Sequence, residues 1–96
     1  MTGGPMQPIR FGARVRYWNP ERGSGLAVVD IPAEHVAALG GLKQRRVGGS
    51  IGGGEFASNM MPAGGGRLAL SVSKAMMAAA GIKVGSEVDV EITSVG

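Results

Sequence analysis

"GGSIGGGEFASNMMPAGGGR", Gly48 to Arg67, sets two glycine clusters around a short run holding one phenylalanine and two methionines. Three readings compete for it: a loop that cradles phosphate, a flexible linker, or two turns around one strand. A phosphate loop needs a lysine and a hydroxyl directly after its last glycine. Here Gly54 is followed by Glu55 and Phe56, and a carboxylate at that point repels phosphate. "GGGEFA" also matches a loose GxGxxA dinucleotide pattern. That pattern must open a long helix, and Pro62 follows Glu55 too closely for one.

A linker needs two domains to join, and a chain of 96 residues makes one. Turns remain. Gly52–Gly54 and Gly64–Gly66 then sit at hairpin positions where φ must be positive, and Phe56 and Met60 share one face of the strand between them.

The flanking sequence supplies the other strands. In "IRFGARVRY", Ile9, Phe11, Ala13, Val15 and Tyr17 alternate with Arg10, Gly12, Arg14 and Arg16. Period two over this length predicts one half-buried strand with an arginine stripe on its outer face. "WNPERGSG" is a turn, and "LAVVDI" a second strand. "RRVGGSI" and "EFASNMM" read as the third and fourth strands, and "RLALSV" as the fifth, with Leu68, Leu70 and Val72 inward. "EVDVEITSV" closes the set: Val88, Val90 and Ile92 point one way, Glu87, Asp89 and Glu91 the other.

Two short helices are expected. "PAEHVAALG" has Pro32 at its start and Gly40 at its stop, with Val36 and Leu39 toward the core; "SKAMMAAAG" has Ser73 as N-cap and Gly81 as stop. "VDIPAEHVAALG" and "LSVSKAMMAAAG" align without gaps at an offset of 41 residues, Val29 on Leu70 and Gly40 on Gly81. The alignment predicts two similar halves about a pseudo-twofold axis. Opposite charges on the first and last strands predict that these two meet, stabilising closure by about 0.2–1 kcal/mol per cross-strand pair.

Composition bounds the class. With 44% hydrophobic and 18% charged residues the chain is globular, and the absence of cysteine excludes a disulfide framework, a thiolate metal site and a cysteine nucleophile. That fits a cytoplasmic protein. No apolar run approaches the ~20 residues that span a bilayer, and "MTGGPMQP" is no signal peptide. Residues 1–8 are expected to be a loose tail and 9–96 a single domain.

These residues resemble the small bacterial domain-of-unknown-function family nineteen-oh-five. That family carries an aromatic, a Thr-Ser-Leu-like run and a proline before a glycine turn, then a Lys-Ala helix and a closing strand. Phe56, Ser58-Asn59-Met60, Pro62, Lys74-Ala75, Gly81, Gly85 and Val88 stand in those places, and "FGARVRYW" and "VVDIPAEHVAAL" extend the likeness to the first half. Met77 replaces a usual arginine and Ser86 the aspartate of a Gly-Asp pair. The resemblance implies a mainly β fold, a small closed six-stranded β-barrel with two short helices. In layout this is related to transition-state-regulator and antitoxin DNA-binding barrels. It implies no established activity.

The leading functional reading is a non-enzymatic binding or interaction module, with a homodimer as one form. Phe56, Met60, Met61, Met76 and Met77 would face a small apolar ligand or a protein partner, because methionine adapts to varied apolar shapes. The first alternative is a nucleic-acid-binding barrel. Its cations would be Lys43, Arg45 and Arg46, since no carboxylate lies within eight residues of Arg45 on either side. A second alternative is an enzyme without cofactor using His35, the only histidine, with Glu34 or Asp30. Ser58, Ser71 and Ser73 have no evident base in the sequence. No metal, cofactor or membrane partner is expected.

Overall fold

The computed structural model describes residues 7–96. The tail expected over 1–8 lies, through residue 6, outside the described residues. The period-two segments become β1 (Ile9–Arg14), β2 (Arg16–Tyr17), β3 (Ala27–Ile31), β4 (Arg45–Ile51), β5 (Gly54–Gly64), β6 (Arg67–Val72) and β7 (Glu87–Val95). One α-helix, α1 (Lys74–Ala80), lies between β6 and β7. The strands form one antiparallel sheet in the order β1-β7-β4-β5-β6-β3-β2.

This seven-stranded sheet curls into a half-barrel, which corrects the expected closed barrel of six. The physical reason sits at Val15. Residues Ile9 to Arg14 pair with β7, whereas Arg16 and Tyr17 pair with Val28 and Ala27 of β3. Between the two ladders, the Val15 N–H donates to the Ser86 carbonyl (3.0 Å) and its own carbonyl accepts from the Gly85 N–H (2.8 Å). A segment that changes partner part-way gives each neighbour only part of its length. β1 and β2 therefore end as the two edges of the sheet, and among the described residues no ladder joins β1 to β3.

The core lies on the inward face of these strands. Val29 and Ile31 of β3, Val47 and Ile51 of β4, Leu68 and Leu70 of β6, and Val90 and Ile92 of β7 are all buried. Each such side chain stabilises the fold by about 1.5–3 kcal/mol. Phe56 and Met60 share the inward face of β5, as the turn reading requires.

One expected helix forms and the other does not. Ser73 caps α1 by accepting from the Met76 N–H (3.1 Å), and Gly81 ends it with φ at 68°. "PAEHVAALG" gives only a 3-10 helix, Ala33–His35, followed by turns. Pro32 precedes it and offers no side-chain oxygen to bond the first amides. Leu39 is nevertheless buried and Val36 packs against the core.

The glycine stretch has two structural uses. Gly52 (φ 56°) and Gly53 (φ 88°) form the two-residue turn between β4 and β5, while Gly54, expected to share that conformation, starts β5 with an ordinary φ. Gly49 sits where the β4–β7 register slips by a residue, and a Cβ built there would overlap the Glu91 carbonyl oxygen. Only glycine lets the two backbones approach so closely.

Candidate ligand-binding groove

The outer face is ruled by ion pairs. Arg10 Nε meets Glu91 at 2.9 Å and Arg14 meets Glu87 at 2.6 Å, directly across the β1–β7 ladder. The first and last strands do meet, cation against anion. Arg16, expected in the same row, turns to Asp30 instead and grips both carboxylate oxygens (2.8 and 2.9 Å). That double hydrogen bond holds the Asp30 carboxyl below its ordinary range and pushes the Arg16 guanidinium further up. Each arginine of the stripe thus has its own carboxylate.

The second basic cluster is differently placed. Lys43 and Arg46 are exposed, and Arg45 is half-buried with its Nε donating to the Gly96 carbonyl (3.1 Å). Among the described residues none of the three pairs with a side-chain carboxylate.

Of the residues weighed for catalysis, His35 and Glu34 come together, while Asp30 and two of the serines are engaged elsewhere. His35 lies against Phe11 (ring centroids 5.9 Å apart) and its Nε2 is 3.5 Å from Glu34. Asp30, the other proposed partner, is held by Arg16. The Ser58 hydroxyl donates to the Ser71 carbonyl (2.7 Å), and Ser73 caps α1.

The apolar candidates divide. Phe56, Met60 and Met76 are buried in the core, and Met61 is half-buried on the strand β5. Met77 lines an open groove of about 450 Å³, together with Tyr17, Lys74, Ile82, Lys83 and Val84, while Phe56 lines a separate one of about 520 Å³ beside Gly49, Glu55 and Thr93. Both are within the size range of small-molecule sites.

Local sequence builds the Met77 groove. Lys74 and Met77 are three apart on α1 and so share one side of it. Gly81 stops the helix, and the Ile82 N–H returns to the Met77 carbonyl (3.0 Å). Lys83 and Ser86 then lock a tight turn: the Ser86 N–H donates to the Lys83 carbonyl (3.0 Å) and the Lys83 N–H to Ser86 Oγ (3.1 Å). Gly85 ties that turn to Val15, two residues before Tyr17. The walls are therefore fixed by backbone bonds. Half-buried Met77, Ile82 and Val84 present apolar surface, and the exposed Lys74 and Lys83 present ammonium groups.

A family model described as Domain of unknown function (DUF1905) matches residues 11–92. The chain belongs to the DUF1905 family. No curated protein and no solved structure matches it. Of the groove of this DUF1905 chain, sequence reasoning found only Met77. Tyr17, Lys74, Ile82, Lys83 and Val84 were missed, although the Lys74-to-Met77 spacing and the alternation of Ile82 and Val84 were visible signals. No helix among the described residues is long and apolar enough to cross a membrane.

Proposed function

We propose that this chain is a non-catalytic binding module that takes a small apolar ligand in the groove between α1, Tyr17 and the turn at residues 82–85. The observation that carries the reading is the apolar wall of an open groove, Met77 with Ile82 and Val84, held in place by backbone hydrogen bonds rather than by the ligand. Such preformed backbone lowers the ordering cost of binding. Met60 and Met76 belong to the core against which Met77, Ile82 and Val84 pack, so they support this wall from behind. Titration with octanol, followed by amide chemical shifts, is expected to move residues 74–85 and Tyr17 and to leave the outer face still. Ile82→Lys is expected to abolish those shifts while the circular dichroism spectrum is unchanged. Shifts centred elsewhere, or none, would refute the groove.

A second reading, nucleic-acid binding, is favoured by one observation: the exposed Lys43 and Arg46 have no carboxylate partner among the described residues. It predicts retention on a DNA column at low salt that is lost in the K43Q/R45Q/R46Q variant; passage without retention ends it.

We also infer that the two halves are related by a pseudo-twofold. Its support is that Val29 lies opposite Leu70, and Ser50 opposite Glu91, both pairs at the same 41-residue spacing.

A further inference from the structure

We infer that the ligand of this groove is an aliphatic carboxylate, a deepening that rests on the groove reading above. Its lining holds two ammonium groups, Lys74 and Lys83, and a phenol, Tyr17, but no aspartate or glutamate. Among the described residues neither lysine is paired with a carboxylate, whereas Arg10, Arg14 and Arg16 each are. The cations on the sheet's outer stripe are neutralised; those beside the apolar wall are not.

The two kinds of surface ask for one amphiphilic molecule. Met77, Ile82 and Val84 offer an adaptable apolar wall. A hydrocarbon tail laid on that wall leaves its headgroup among lining residues that include both lysines. Lysine meets an anion as a point charge with rotatable donors, without the fixed fork of arginine, so a single carboxylate satisfies it. On a half-open wall, each added methylene of the tail tightens binding by roughly two- to fourfold. The lysines are exposed, so each contributes about threefold and the pair about tenfold.

Octanoate and octanol separate the charge from the tail. With the full chain, amide shifts at residues 74–85 read both affinities. Octanoate is expected to bind about tenfold more tightly than octanol at low salt, with the advantage shrinking in 0.5 M sodium chloride, roughly a 4 Å screening length. In K74Q/K83Q, octanoate falls to the level of octanol while octanol itself is unchanged. Both positions are exposed, so the fold tolerates the change. Equal binding of the two probes by the unmodified chain would overturn the carboxylate and leave the apolar groove standing. If neither probe moves these residues, the groove and its ligand fall together.

Discussion

Asp30 accepts two hydrogen bonds from one guanidinium, and a proton on its carboxyl group removes their charge. Because Arg16 depresses the folded-state value, the unfolded chain takes up the proton first as pH falls. The stability supplied by the pair is therefore complete above the ordinary aspartate value of about 4 and is lost as pH drops through the depressed folded value. Both side chains are about a third exposed (35% and 34%), so solvent screening discounts the pair to ~1 kcal/mol even in bidentate geometry. Asp30→Asn is expected to cost that amount at pH 7. The gap between the variant and the parent in urea-unfolding midpoint should narrow steadily below pH 4. A gap that stays constant down to pH 2 would mean that the cost arises from packing and not from the charge.

At the scale of the elements, the β1–β7 ladder has a gap. Arg10 faces Glu91 and Arg14 faces Glu87, but Asp89 faces Gly12 and has no cation opposite. Gly12 has an ordinary φ, and a Cβ there would meet nothing closer than 3.9 Å. Gly12→Lys should therefore fill the ladder, adding about 0.2–1 kcal/mol from the pair and about 0.5–1 kcal/mol from a less flexible strand residue. For a domain of this size that raises the melting temperature by several degrees, on the order of 4–8 °C per kcal/mol. Gly12→Glu shares the backbone gain and not the pairing. The difference between the two variants should close in high salt, and a Glu variant as stable as the Lys variant in low salt would show that the ladder contributes nothing.

The same ladder shows what was legible and what was not. β4, β6 and β7 were readable to their ends at Arg45–Ile51, Arg67–Val72 and Glu87–Val95 because turn residues bound them, although only β7 opens on a clean alternation of burial. The division of Ile9–Tyr17 was not readable. Val15 points inward whether it continues β1 or begins β2, so a change of partner leaves the period of two undisturbed. In α1, Met76 and Met77 are chemically identical neighbours about 100° apart around the helix, one buried and the other at the groove. Only the direction from which the sheet approaches decides between them, and that is a property of the fold.

For the whole molecule, the order of the strands makes the two ends of the chain depend on each other. A cut within the Gly52–Gly53 turn leaves one piece with β1 to β4 and another with β5 to β7. Within the pieces only the β2–β3 and β5–β6 ladders survive; β1–β7, β3–β6, β4–β5 and β4–β7 all cross the cut. An isolated two-stranded pairing is marginal in water, so neither piece has a sheet able to bury its apolar face. Fragments 1–52 and 53–96 are each expected to be unfolded alone by circular dichroism. On mixing they should regain the strand signal, with a midpoint that rises with concentration, as association requires. Folding of the intact chain should be slow for its length, in the millisecond-to-second range, because these crossing ladders join residues far apart in sequence. Cooperative thermal unfolding by either fragment alone would show that one half carries its own core, contrary to the crossed pairing on which the sheet is built.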